Sequence, residues 1–301
     1  MLDQQGVPYF LEANRCSHML WEYVGLYGDD EPFRRTAAWM NAADGPPCLL
    51  WRRTDPPAGE VEHACWIAGR LTPYLRQPPL VAFVEDNQEG RAEIRTREGD
   101  WARVGSLFRW WYPLPWSYER SGVRVVNPNA VWVTVRDKLA SYARLSGAAH
   151  FRVPRSWAVD SAAEAAVVLA ENDVFARGFV LKPRTGFGGH GVRVGETGET
   201  PEDVPPHSML CERVVPALDR GRFWDVRLFV MAGTFCGGLV RTSERPVTNV
   251  FQGGTAARLP DDLAGRLEPA ALEAVRLLDE AAAEVHALER PPESHLTRVV
   301  W

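Results

Sequence analysis

Lysine is nearly absent from this chain: only two of its 34 basic residues, Lys138 and Lys182, are lysines, and arginine supplies every other side-chain cation. A chain that meets its need for surface charge with arginine has little reason to keep a lysine except where a compact, flexible point charge is wanted. The plain alternative is that two lysines must lie somewhere, so their positions decide. Basic excess is also missing, since the net charge over 301 residues is -5. That argues against a nucleic-acid partner, which needs a basic face to neutralise phosphates. No apolar run is long enough to cross a bilayer, so no membrane partner is expected. The opening MLDQQGVPYFLEAN has neither a basic n-region nor an apolar h-region, so no signal peptide is expected. Cysteine is sparse: Cys16, Cys48, Cys65, Cys211 and Cys236 are odd in number and widely spaced. They read as free thiols in a reducing, cytoplasmic setting, and no pair has zinc-ligand spacing. His63 and Cys65 form a lone i,i+2 pair of the kind that is usually incidental. Internal repeats and low-complexity segments are absent as well.

What is present is a well-mixed globular sequence, 46% hydrophobic and 24% charged, long enough for two domains. Residues 6–14 read as a turn followed by a strand. A helical pattern runs from Met19 to Ala43, broken at Gly28–Pro32. PPCLLW (46–51) and LVAFVED (80–86) read as strands, residues 60–71 as a helix, and SLFRWWYPLPW (106–116) as a packed aromatic connector. Up to about Gly122 this is a small α/β unit. Beyond it, VRDKLASYARLSG (135–147) has helix character, and SAAEAAVVLAEN (161–172) is a helix with Asp160 or Ser161 as N-cap. GFVLKP (178–183), MLCERVV (209–215), WDVRLFV (224–230) and FCGGLVRTS (235–243) are strands, residues 267–288 a long amphipathic helix, and HLTRVVW (295–301) a closing strand. Strands at this spacing with few intervening helices fit an antiparallel sheet in an α+β fold.

The chemistry gathers in this second part. A strand delivers Lys182, and Gly186, Gly188, Gly189 and Gly191 follow at once. Glycine amides approach phosphate oxygens closely while an ammonium neutralises their charge. The order is not that of a Walker A loop, which needs its lysine after the glycines at a helix start. Nor is it a dinucleotide fingerprint, because the glycines lead into another strand. A plain hairpin with a flexible tip is the competing reading. Lys138 opens a helix in Arg136-Asp137-Lys138 and taken alone reads as a surface lysine; Glu212 sits on a strand that could line an adenine pocket with its backbone groups and taken alone reads as a strand-edge carboxylate. Asp225-Val226-Arg227 and Arg241-Thr242-Ser243 plant arginines in apolar strands, where each should face an anion or a carboxylate. Asn249 and Gly253-Gly254 follow.

Asp137-Lys138, a helix, Val-Pro, VLKPxxGxGGxGV, a glutamate-bearing strand, DVR, and then Arg241 with Asn249 and Gly253-Gly254 in this order resemble the ATP-grasp superfamily, over roughly residues 127–259. The chain's two lysines fall where that family contacts the ATP phosphates. Within the superfamily the chain is similar to the glutathionylspermidine synthase-like branch. There the metal-binding hairpin, with a D-x-x-G turn and an E-x-N, precedes the nucleotide-binding part, as Asp3-x-x-Gly6 and Glu12-Ala13-Asn14 do here. The helix rich in Trp, LFRWWYPLPW and GGLVRTSERPVTN match the branch more weakly. One ligand departs from the pattern: the family's Asp lies a strand before E-x-N, upstream of Met1 in this numbering, and Asp3 is the substitute at hand.

The resemblance implies an ATP-grasp fold: an α+β architecture with antiparallel sheets and a small α/β pre-ATP-grasp unit. Its expected parts are a metal-binding hairpin over 1–18, the α/β unit over 19–122 and the nucleotide-binding domain over 123–301. It implies ATP and Mg2+ as cofactors, with Lys138, Lys182, Gly186, Gly188, Gly189 and Glu212 holding the nucleotide, and Glu12 and Asn14 the metal. Arg241 would stabilise the transferring phosphoryl group. The implied activity joins a small-molecule or peptide carboxylate to an amine through an acyl phosphate. A non-catalytic homologue that binds nucleotide or a peptide is the alternative. The hairpin cannot stand alone in water, so residues 6–14 should pair into the C-terminal domain's sheet, beside 295–301, and bring Glu12 close to Lys182 and Arg241.

Overall fold

The computed structural model describes residues 1–14, 19–51, 58–87, 93–109, 114–186, 189–250 and 253–288. The expected closing strand 295–301 and Cys16 lie outside them. The chain divides into two compact units. One is built mainly from Asn14–Val133 with Val230–Cys236; the other joins Met1–Ala13, Thr134–Phe229 and Gly237–Ala282.

In the first unit, α1 (Leu20–Tyr27) and α2 (Glu31–Asn41) form where one helical pattern was broken by Gly28 and Pro32. Gly28 takes a left-handed φ of 69° and its amide closes onto Val24 O, which ends α1. Pro32 stands in the first turn of α2, where a missing N–H is harmless. Next come β1 (Pro47–Trp51), α3 (Ala58–Leu71), β2 (Leu80–Phe83), β3 (Ile94–Arg95), β4 (Trp101–Ala102), β5 (Ser106–Arg109), α4 (Trp116–Arg120), β6 (Arg124–Val126) and α5 (Asn129–Arg136). Four strands make a parallel sheet in the order β2-β1-β5-β6. Its central strands are apolar on both faces, with Cys48, Leu49, Leu50, Leu107 and Phe108 all buried.

Here the sequence reading needs correction. Residues 106–109, expected as a connector, are the buried strand β5. A short apolar run followed by prolines carries no periodicity that separates a two-sided buried strand from a packed loop; residues 110–113 lie outside the described set. Arg109, buried on β5, donates to Asn127 O at 2.9 and 2.6 Å and to Asn129 Oδ1, so its charge is met by oxygen.

The second unit holds α6 (Lys138–Leu145), β7 (Ser156–Val159), α7 (Ala162–Glu171), β8 (Phe179–Pro183), β9 (Arg193–Gly195), β10 (Ser208–Glu212), β11 (Leu218–Asp219), β12 (Arg222–Met231), β13 (Thr234–Ser243), β14 (Thr255–Arg258) and α8 (Asp261–His286). These strands form two four-stranded sheets, β7-β10-β8-β9 and β11-β12-β13-β14. The first is antiparallel throughout, and in the second β11 with β12 and β13 with β14 are antiparallel pairs. The fold is therefore α+β with antiparallel sheets, and its α/β unit carries the parallel one.

Local chemistry explains the elements. Ser161 is the N-cap of α7: its hydroxyl accepts from Glu164 N, while the Glu164 carboxylate accepts from Asp160 N, a reciprocal cap. Arg220-Gly221 and Ala232-Gly233 both take positive φ in two-residue connections, which matches the twist of the strands they join. Residues 135–147, expected as one helical stretch, are split between α5 and α6. Asp137 leaves helical geometry and caps Leu139 N and Ala140 N instead.

The first β-sheet of this unit has two covered faces. Phe179, Leu181 and Leu210 pack under α7 with Ala165 and Phe175. Met209 and Cys211 face the other way, against Tyr142, Leu139 and Phe10. Alternation along β8 and β10 sets this division, and Lys182, in register with Met209, belongs to the second face.

The opening residues form a hairpin. Met1 N and Tyr9 O, Tyr9 N and Met1 O, and Asp3 N and Val7 O pair across it. Gly6, at φ 78°, makes the turn. One side bridges Asp3 to Pro216, with Ala217 N donating to Leu2 O, and the other bridges Tyr9 to Arg152, with Phe10 N donating to Arg152 O.

Candidate functional site

Lys182 leaves β8 with its Nζ 2.7 Å from Tyr142 Oη on α6, one side of a cluster that also holds Lys138, Glu12 and Cys211. Lys138 is the first residue of α6. Its Nζ donates to Gly186 O at 2.8 Å, and its amide to Arg184 O at 2.9 Å. Arg184 in turn pairs with Asp137, the residue that caps α6. The start of α6 and the start of the glycine loop are thus clamped together, and each lysine sits at one side of that clamp.

The electrostatics express the crowding. Burial, and then the charge of Lys182, push the Lys138 pKa below the ordinary lysine value, against Glu12 and Asp137, which raise it. Burial also works against the Lys182 ammonium, but the Tyr142 hydroxyl that accepts from it and the Glu12 charge outweigh burial and hold the pKa above the ordinary value. Burial pushes the Tyr142 phenol up to about 12 and raises the Cys211 thiol, so both stay protonated and Cys211 packs as a small apolar group. Two cations that feel one another in a partly desolvated place favour a bound anion.

The loop after Lys182 suits that anion. Gly186, Gly189 and Gly191 have φ of 144°, 73° and 71°, values that side chains rarely adopt. A Cβ at Gly191 would lie 3.0 Å from Pro183 Cγ. Gly188, also expected to hold the nucleotide, lies outside the described residues.

Glu12 and Asn14, both exposed, close the hairpin segment. Leu11 O accepts from Tyr142 Oη at 2.6 Å, which brings the backbone beside Glu12 to the lysine cluster. Asp3 does something else. It is buried, and its Oδ1 accepts from Gln5 N and Val7 N at 2.9 and 2.8 Å. It builds the turn of the hairpin, and that carboxylate oxygen is engaged inside it. Among the described residues there is no group of three His, Cys, Asp or Glu side chains placed to hold a metal ion.

Glu212 pairs with Arg155, at 3.0 Å between Oε2 and Nε, and its amide donates to Arg155 O. It lines a cavity of about 590 Å³ with Tyr9, Tyr142, Phe151, Arg152 and Arg155. Arg241 is held elsewhere, on the second sheet. Its Nε and Nη2 reach the two carboxylate oxygens of Asp225 at 2.7 and 2.6 Å, and Thr248 donates to the same carboxylate. The half-buried arginine has the carboxylate that its strand position demanded, and meets it through two of the five N–H donors a guanidinium carries. Burial lowers the Met1 amine to about 6, with the Asp225 charge working against the shift and the Arg241 charge with it.

The structure thus brings Lys138, Lys182, Gly186 and Glu12 together, and holds Glu212 and Arg241 in ion pairs of their own. Sequence reasoning assigned no role to Tyr142, Arg184 or Asp225. For Tyr142 a signal existed, since it stands four residues after Lys138 and so shares its helix face. Arg184 had none, because its partner lies 47 residues away.

No protein-family model matches the chain, and no curated protein matches it. Among solved structures it is similar to a RimK domain ATP-grasp protein from Sphaerobacter thermophilus DSM 20745, at 16% identity and a TM-score of 0.45 over 76% of this chain and 82% of that one. It is also similar to a D-alanyl-alanine synthetase A from Vibrio cholerae O1 biovar eltor str. N16961, at 10% identity and 0.48 over 79% and 82%. A third similarity is to a putative gamma-glutamylcysteine synthetase from Methylobacillus flagellatus KT, at 12% and 0.47 over 88% and 83%.

Proposed function

We propose that this chain is an ATP-grasp ligase of the glutathionylspermidine synthase-like kind, which spends Mg-ATP to join a carboxylate to an amine. The observation that carries the reading is that the chain's two lysines come together, each feeling the charge of Glu12, with Lys138 Nζ on Gly186 O of the glycine loop that follows Lys182. Lys138 and Lys182 bind the phosphates, the amides of the loop close on their oxygens, and Glu212 holds the nucleotide from the end of its strand. Arg241, held by Asp225, offers its other donors to the transferring phosphoryl group. The γ-phosphoryl group passes to the carboxylate, ADP leaves, and the amine then displaces phosphate from the acyl carbon.

Glu12 and Asn14 offer one carboxylate and one amide oxygen, hard donors of the type Mg2+ takes. Two protein donors fit an ion that keeps waters and phosphate oxygens in its shell. When bound, it would neutralise charge on the phosphates. The residues' own part is to keep these oxygens beside the lysines.

Release of ADP from ATP with mixed carboxylates and amines tests the reading. Turnover that needs both substrates and is lost in Lys182→Met supports it. A second reading, a homologue that binds nucleotide without turning it over, is favoured by one observation: the Asp3 carboxylate is engaged in its turn. ADP binding without any such turnover would select it.

A further inference from the structure

Tyr142 ties the two halves of the candidate site together through one oxygen atom. Its side chain is buried, and its hydroxyl lies 2.6 Å from Leu11 O and 2.7 Å from Lys182 Nζ. A carbonyl oxygen only accepts and an ammonium only donates. The phenolic proton therefore points at Leu11 and a lone pair at Lys182, so the hydroxyl is oriented from both ends. The ring itself is fixed: Phe10 meets it edge-on at 6.2 Å between centroids, and Met209 and Cys211 pack with it. Lys182 Nζ also lies 4.9 Å from the ring centroid.

A lysine ends a flexible stem and loses much rotamer freedom when it must stay in one place. Here that ordering is complete before any ligand arrives. One N–H is given to Tyr142, which leaves two for an anion. The same hydroxyl holds the backbone that leads directly into Glu12.

We propose that Tyr142 is a positioning residue that presets Lys182 for phosphate oxygens and couples that lysine to the Glu12–Asn14 segment. The proposal rests on the reading of Lys182 as a phosphate ligand. It predicts that nucleotide binding and the order of residues 9–14 rise and fall together.

The test uses ADP without metal, titrated calorimetrically into the wild-type chain, Tyr142→Phe, Lys182→Met and the double variant. Tyr142→Phe keeps the ring and its packing and removes only the hydroxyl. It should weaken ADP binding by roughly tenfold to a hundredfold, the weight of one hydrogen bond to a charged group. Lys182→Met should weaken it further, and the double variant should bind no worse than Lys182→Met alone, because the hydroxyl then has no ammonium to place. In hydrogen exchange, ADP should protect peptides covering residues 9–14 in the wild type and much less in Tyr142→Phe. Unchanged ADP affinity in Tyr142→Phe, while Lys182→Met loses it, overturns the positioning role and leaves the nucleotide reading standing. Additive losses in the double variant also overturn it, since a merely structural tyrosine acts independently of the lysine. If the folded wild type does not bind ADP, the nucleotide reading fails and the proposal falls with it.

Discussion

The parallel sheet of the first unit and the antiparallel sheets of the second are both built from short apolar strands, yet they differ in what the strands carry. In the parallel sheet, β1 and β5 are buried along nearly their whole length, and the one buried cation, Arg109, is satisfied by backbone and amide oxygens. In the antiparallel sheets, Lys182, Glu212, Asp225 and Arg241 all stand on strands. A strand centre covered on both faces has no place for a charge that must reach a ligand. Lys182 and Glu212 stand instead near the ends of β8 and β10, where a side chain can leave the packed layer. The first unit spends its strands on packing, the second on presenting charge.

That contrast can be broken, most strongly at the Asp225–Arg241 pair. Asp225→Asn leaves the half-buried Arg241 guanidinium without its counter-charge, and the chain should lose about 3–5 kcal/mol in urea unfolding. A loss under about 1 kcal/mol would mean the pair is solvated and the strand carries its charge freely. Next in size is Leu50→Ala in the centre of the parallel sheet, expected to cost about 2–4 kcal/mol through transfer and cavity terms. ADP affinity of the remaining folded protein should stay as it was; a fall in affinity would erase the division of labour. Lys182→Arg keeps the charge but puts a planar fork where a point charge bonds Tyr142, so ADP affinity should fall on the order of tenfold with little change in melting temperature. Equal affinity would make the site indifferent to lysine and remove the meaning of the chain's lysine scarcity.

The smallest effect is expected at Glu273 on α8, which accepts from Ala149 N and His150 N. These bonds hold its carboxyl below its ordinary value of 4.5. A depressed folded pKa adds stability above the unfolded value and loses it as pH falls through the folded one. Because the group is exposed, the gain is roughly 0.5 kcal/mol. Glu273→Gln should therefore be slightly less stable than the wild type at pH 7, and the gap should close as the pH drops below 4.5. A gap that persists at low pH would assign the contact to packing.

Much of the second unit was legible because its signals are local. The Ser161 cap, the glycine run after Lys182 and the amphipathic helix ending near residue 286 each act over a few residues. The buried strand β5 was not, since two-sided burial removes the alternation by which a strand is read. The break at Asp137 was half visible: an Asp before a helix start is a cap signal, but its second partner, Arg184, comes from β8's far end.

By itself the sequence determined that lysine is confined to two positions, which strands would carry charge, and that D-x-x-G would turn the opening hairpin. Only the tertiary structure decided what those residues meet. It set Lys182 on Tyr142, Lys138 on the glycine loop, Arg241 on Asp225, and Asp3 inside its own turn. The physical reason is one of range. Capping, turn conformation and strand alternation are fixed by near neighbours along the chain, whereas an ion pair or a shared hydroxyl depends on where distant strands are brought by burial of their apolar faces.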